Sequence, residues 1–288
     1  MKTTFQFITF LVSLFLGGLL LISCEEKPKS PQIALQLYSF RNQFAQDVPG
    51  TMAKVQALGV KYVELAGTYN MTVPDFLALL KKHDLTPIGT GVDFDVLDKN
   101  PQQAVADAKT LGVKYVVCFW IPHQDTIFTI EEVNKAVEVF NRAGKLLKEN
   151  GFSFCYHPHG YEFRPYENGM LFDVLAQKLD PQYVNFEMDT YWVKHPGQDP
   201  VAVLQKYPTR FPILHVKDRQ VGTIGNQNGR GDVETNVTLG TGDVGIEAIV
   251  KEAAKIGAEY LVIEDESSRS ETQVPQSITY LQGILKTP

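Results

Sequence analysis

Leu58-Gly59-Val60-Lys61-Tyr62-Val63, Leu111-Gly112-Val113-Lys114-Tyr115-Val116 and Ile256-Gly257-Ala258-Glu259-Tyr260-Leu261 are three copies of one junction. In each, an amphipathic run ends at glycine, the residue that most readily takes the left-handed conformation closing a helix, and a strand-like run follows at once. Working outward gives eight strand candidates: IALQLY (33–38), KYVELA (61–66), TPIGTG (86–91), KYVVCFW (114–120), FSFCYH (152–157), YVNFEMD (183–189), PILHVK (212–217) and EYLVIE (259–264). Between them, apolar residues recur at spacings of three and four over 51–58, 73–83, 101–111, 130–150, 170–179, 199–207, 245–256 and about 275–286. Alternation of this kind implies parallel β-α units, and eight of them predict an α/β chain folded as a single (β/α)8 barrel over 32–288. A doubly wound open sheet would need a glycine-rich phosphate turn after its first strand, and LQLYSFRN (35–42) has no glycine.

The 288 residues are 44% hydrophobic and 21% charged, with 22 Gly and 16 Pro, a globular composition. Lys+Arg of 27 against Asp+Glu of 33 gives a net charge of −6 without a basic cluster, which argues against a nucleic-acid partner. Ahead of the barrel, residues 1–23 carry Lys2, an uncharged apolar run from Phe5 to Ile22 and a small residue, the layout of a signal segment. Leu21-Ile22-Ser23-Cys24 resembles the lipobox of bacterial lipoproteins, which implies cleavage before Cys24 and lipidation of its thiol. Residues 24–31, with Pro28 and Pro31, read as a tether. The expected location is therefore the cell envelope, outside the cytoplasm, lipid-anchored to a membrane, the outer membrane being favoured, on its periplasmic or surface face. Phosphorylated metabolites are scarce there, which points to an unphosphorylated substrate. Cys118 should face the helices and Cys155 the interior, so no disulfide is expected.

In a (β/α)8 barrel the site is built at the C-terminal strand ends. His123, His157, His159 and His215 fall at or just after such ends, and the last four strands are the loaded ones: CYHPHGYEF (155–163), NFEMDTYW (185–192), LHVKD (214–218) and VIEDE (262–266). Residues two apart share a face. Ser153, Cys155 and His157, then Asn185, Glu187 and Asp189, then His215 and Lys217, then Tyr260, Val262 and Glu264 thus form the interior set, opposite the apolar Phe152, Phe154, Phe186, Met188, Leu214 and Val216. Buried carboxylates and imidazoles are costly unless paired or metal-bound. Asp189, His215 and Glu264, from three adjacent strands, are the candidate metal ligands, and a set of oxygen and nitrogen donors suits one divalent ion: Mn, Mg, Co or Zn.

These segments, with LQLYSFR and DPVAVLQKYPTRFPILHVKD, resemble the xylose isomerase-like TIM barrel family, which includes proteins called sugar phosphate isomerase/epimerase, inosose dehydratases and family 2 AP endonucleases. The resemblance spans the chain after the tether. It implies one divalent ion held by a Glu from the fifth strand, an Asp from the sixth, a His from the seventh and a Glu from the eighth. Asp189, His215 and Glu264 match the last three. The first is not matched: Cys155 stands at that depth, followed by His157, His159 and Glu162, and the fourth ligand is expected to be Glu162 or one of the two histidines.

The chemistry so implied is proton removal beside a carbonyl through an enediolate, giving a sugar or keto-sugar isomerase or epimerase. The same groups could serve a lyase or hydratase of 3-keto-glycosides or an inosose-type dehydratase, and a non-catalytic carbohydrate-binding lipoprotein is the reading from another class. His157, His159, Glu264 and Glu187, with Lys217 for an oxyanion, are the catalytic candidates. Tyr38, Glu64, Trp120, His123 and Trp192 would contact the small-molecule substrate. Residues 221–243, rich in Gly, Asn and Thr, are either a lid or a surface loop. The membrane enters as a partner through the lipid alone, and a homo-oligomer is left open.

Overall fold

The eight β-rich runs pair into one closed sheet in the computed structural model, which describes residues 30–286; the signal segment, Cys24 and most of the tether lie outside the described residues. The strands are β1 Gln32–Gln36, β2 Tyr62–Leu65, β3 Thr86–Gly91, β4 Tyr115–Cys118, β5 Ser153–Tyr156, β6 Val184–Asp189, β7 Ile213–Val216 and β8 Tyr260–Ile263. Each pairs in parallel with its neighbours, and β1 closes on β8 through Gln32 opposite Tyr260 and Leu35 opposite Ile263. The principal helices are α1 Val48–Ala57, α2 Val73–Lys82, α3 Pro101–Leu111, α4 Ile130–Glu149, α5 Leu171–Lys178, α6 Pro200–Lys206, α7 Ile246–Ile256 and α8 Ser270–Lys286. The expected (β/α)8 barrel is the observed architecture.

Local chemistry sets the helix ends. Asp47, Thr72, Thr129 and Asp199 cap first-turn amides with their side chains, and Glu132 returns a bond to the Thr129 amide. Gly112 and Gly257 close α3 and α7 at φ of 68° and 80°, the left-handed geometry that the repeated junction required.

The core divides as the alternation of β5 to β8 dictates. Phe154, Tyr156, Phe186, Met188, Leu214, Val216, Leu261 and Ile263 join the helices in one large outer cluster. Inside the barrel are two small apolar groups, Tyr115, Val117, Cys155 and Ile213, and Ala34, Ile88 and Val262. Cys118 lies in the outer cluster and Cys155 in an inner one, both free. The upper half of the interior is left for polar groups.

Sequence periodicity misplaced some boundaries. The first strand stops at Gln36 because its side-chain oxygen accepts from the Tyr38 amide, turning Leu37–Phe40 into a 3-10 helix. Short helices at Phe94–Lys99 and Thr190–Lys194, too brief to show a period, follow β3 and β6. β1 starts at the end of the barrel opposite the loaded strand ends, so the chain enters through the floor.

α4 comes close enough to β6 that a Cβ on Gly144 would lie 2.7 Å from the Tyr183 carbonyl oxygen and 3.1 Å from Val184 Cγ2. Alanine ordinarily stabilises a helix interior relative to glycine by about 0.5–1 kcal/mol. Here the clash with backbone wins, so Gly144→Ala should destabilise by about 1–3 kcal/mol, read as a lower urea midpoint at an unchanged slope.

Candidate active site

Strand geometry delivers seven polar side chains to one enclosed volume above the inner apolar groups. Glu64 is next to last in β2, Glu187 and Asp189 come from β6 and His215 from β7, and His157, Lys217 and Glu264 follow β5, β7 and β8; all are buried. Glu266, two residues beyond Glu264, completes the set.

The contacts are direct. Lys217 Nζ lies 3.1 Å from Asp189 Oδ2, 2.7 Å from Glu264 Oε2 and 2.7 Å from Glu266 Oε1. His215 Nδ1 is 3.0 Å from Glu264 Oε2, and its Nε2 is 2.7 Å from Glu64 Oε2 and 3.3 Å from Glu187 Oε1. His157 Nδ1 meets Glu187 Oε2 at 2.8 Å, and its Nε2 faces Asp189 Oδ2 at 3.5 Å. Backbone chemistry holds two of these groups in place. Thr190 Oγ1 bridges the Lys217 amide and carbonyl, and Asp189 Oδ1 accepts from the Trp192 amide, leaving Oδ2 for the cavity.

Burial alone would push Lys217 and both histidines down, but the carboxylates win: Asp189, Glu264 and Glu266 hold the Lys217 ammonium well above its ordinary value, and Glu187, Glu64 and Glu264 do the same for His215. Asp189 and Glu264, which burial would raise, are held below the usual range, first by Lys217. Glu64 goes the other way, pushed up to about 7 by burial and then by Glu187. Burial, His157 and Lys217 drive His159 down to about 3, and its Nδ1 lies 3.3 Å from the His157 carbonyl oxygen.

Two donor sets could hold a metal. Ligand atoms of His157, Asp189 and His215 lie within 4.8 Å of one another, as do those of Glu64, Glu187 and His215. In the first set His157 Nε2 and Asp189 Oδ2 are buried without a hydrogen-bond partner, although Lys217 stands beside the carboxylate. Imidazole nitrogens and a carboxylate oxygen brought together in this way fit a borderline divalent ion.

Of the expected ligands Asp189, His215 and Glu264, the first two share a donor set with His157, whereas Glu264 belongs to neither set because its Oε2 lies against Lys217 Nζ and His215 Nδ1. The expectation of Glu162 as a ligand needs correction. Its carboxylate accepts from the Tyr156 hydroxyl and from the amides of His159 and Gly160. Tyr156 belongs to the helix-facing set, so the 3-10 turn Tyr161–Phe163 aims Glu162 out of the barrel, and His157 occupies the fifth-strand position instead.

The open cavity, about 460 Å³, is lined by Tyr38, Phe119, His157, His159, Lys217, Glu264 and Glu266 among others. Glu64 and Glu187 lie beneath it rather than against it. Trp120 borders a neighbouring groove, His123 stacks on Trp120 at 4.6 Å, and Trp192 is buried beside the His159 ring. Gln36, Thr90, Phe119 and Glu266 were missed as site residues; alternation along VIEDE marks Glu266, whereas Gln36 and Thr90 carry no charge to betray them.

Residues 221–243 are tied down. Asp218 accepts from the amides of Gly240, Gly242 and Val244, Arg219 grips Asp243 bidentately, Glu234 takes Ser268 and Arg269, and Arg164 holds the Gln227 carbonyl.

Residues 52–284 match the model of the xylose isomerase-like TIM barrel family. The chain belongs to that family. Its fold is similar to that of a sugar phosphate isomerase/epimerase from Parabacteroides distasonis ATCC 8503, with a TM-score of 0.72 and 25% identity over 90% of this chain and 96% of that one. The IolI protein crystallised with a zinc atom shares the fold at a TM-score of 0.67 and 14% identity over 88% of this chain and 96% of that one. An inosose dehydratase of Clostridium tetani is 37% identical over 93 residues, 32% of this chain and 30% of its own length. The chain thus spans about a third of the length of the curated relatives it matches.

Within this xylose isomerase-like barrel, Glu162 is pushed from 4.5 up to about 7 by burial, against the pull of Tyr156 and the two amides. Between those pH values the folded chain keeps a proton that the unfolded chain has lost. The stability this gives is full below pH 4.5 and lost as the pH rises to about 7, a fall of about 3 kcal/mol. Glu162→Gln should remove that fall, measured as the pH dependence of urea unfolding for variant and parent.

Proposed function

We propose that the protein is a divalent-metal-dependent enzyme that isomerises or epimerises an unphosphorylated sugar or keto-sugar by moving a proton next to its carbonyl. The observation that carries this reading is a cluster in a barrel of this family in which His157, Lys217 and Glu264 line the cavity and Asp189 and His215 contact them from beneath it. His157, Asp189 and His215 would hold the ion, with Glu264 adjoining. When bound, the ion would polarise the substrate's oxygens and make the neighbouring C–H more acidic.

The chain's own groups supply the rest. Lys217 presents an ammonium, fixed by three carboxylates, to negative charge developing on the substrate oxygen. His159 lines the cavity, and donation from its Nδ1 to the His157 carbonyl leaves Nε2 as the acceptor for the carbon-bound proton. Tyr38 and Phe119 provide faces for a sugar ring.

The charge of the cavity disfavours a phosphorylated substrate. Lys217 is the one lysine or arginine in the lining among the described residues, and it is already neutralised by Asp189, Glu264 and Glu266. A phosphate dianion would meet uncompensated carboxylates. This agrees with the proposal that the chain is exported and lipid-anchored through Cys24.

A second reading is a dehydratase, in which the carbanion expels a β-hydroxyl instead of regaining its proton. The similarity to an inosose dehydratase favours it over about a third of the chain.

The decisive test incubates the protein in D₂O with Mn, Mg, Co or Zn and a panel of free and keto-sugars, followed by NMR. Deuterium uptake at carbon with retained mass composition supports the isomerase or epimerase, loss of water supports the dehydratase, and no exchange with any sugar refutes both. His159→Ala should slow exchange on the order of 10²–10⁴-fold. Asp189→Asn and His157→Ala should strip the bound metal, counted by elemental analysis, while circular dichroism stays that of the parent.

A further inference from the structure

A second cavity of about 480 Å³ adjoins the reaction cavity, and Gly91 and Phe119 line both. The remaining lining is Val92, Asp93, Phe94, Asp95, Trp120 and Pro122. Gly91 makes the shared wall thin: a Cβ there would come 2.9 Å from Phe119 Cε2, so only glycine lets the ring lie against the end of β3. Each volume falls within the range of about 300–1,000 Å³ usual for ligand sites.

The second cavity is outfitted for a ligand. Trp120 is 40% exposed although one neighbour, His123, already stacks on it. Together with Tyr38, at 42%, it is among six exposed large hydrophobics of the described residues, the others being Ile127, Val221, Ile224 and Val233, and all six stand on segments that follow strands β1, β4 and β7. Scattered apolar exposure is ordinary, whereas confinement to one end of the molecule marks a binding face. Asp93 sits where a helix-capping side chain belongs, ahead of Phe94–Lys99, yet makes no capping bond and is exposed. Asp95 is exposed beside it and pairs with Lys99 at 2.6 Å.

We propose that this groove is a second sugar subsite, and that the substrate is a glycoside of two rings, one ring beside Lys217 and Glu264 and the next on Trp120. The inference rests on the sugar reading given above and names its substrate class. An aromatic platform offers a face to the C–H side of a pyranose, and the carboxylates of Asp93 and Asp95 accept from its hydroxyls. A wholly apolar aglycone would instead desolvate both carboxylates with no bond in return.

Isothermal titration of the purified protein with glucose, galactose, cellobiose, maltose, lactose and phenyl β-glucoside tests this. At least one disaccharide should bind about tenfold more tightly than its monosaccharide. Trp120→Ala should bring that ratio to about one, Trp120→Phe should restore most of it, and Asp93→Asn should lower it about threefold. Disaccharides no better than monosaccharides would overturn the second subsite and leave the sugar reading standing. A preference for phenyl β-glucoside that Asp93→Asn does not alter would overturn the second sugar in favour of an aromatic aglycone. If no sugar binds, both readings fall.

Discussion

Five carboxylates, from Glu64, Glu187, Asp189, Glu264 and Glu266, share one end of a barrel with a single ammonium and two imidazoles. Buried charge of that density is tolerable only when each group is compensated by a neighbour at contact distance. Lys217 is the keystone. Its ammonium joins strands β6 and β8 to β7, and its removal would leave Asp189 and Glu264 facing each other in a low-dielectric space. A divalent ion bound by neutral imidazoles in place of two imidazolium protons leaves the net charge of the cluster unchanged. The same arrangement of side chains therefore serves with either.

Alternation along strands β5 to β8 was legible because its period is two and one face is wholly apolar; Phe154, Phe186 and Leu214 could not face the interior without exposing His157, Glu187 and His215 to the helices. The repeated glycine junction fixed helix ends for an equally local reason. Glu162 was misread because a 3-10 turn has neither period, and its side chain follows the turn toward Tyr156 rather than the strand toward the barrel axis. Gln36 and Thr90 were invisible since their contribution depends on which loops stand opposite them. The helix at Phe94–Lys99, six residues long, offered too little pattern to detect, and with it went the second groove.

Rigidity and openness are distributed unevenly over the mouth. The long segment after β7 is pinned by Asp218, Arg219 and Glu234, while the side bounded by Gly91, Asp93 and Trp120 is open. A substrate of the proposed kind would meet a fixed wall on one flank and an open groove on the other. That asymmetry gives the approaching molecule an orientation before any chemistry begins.

The chain joins the barrel at Gln32, on the floor, with the reactive groups at the far end. The proposed attachment through Cys24 would lie within eight residues of Gln32, at most about 28 Å of chain. Such an attachment would put the supporting surface nearer the floor of the barrel than its reactive end.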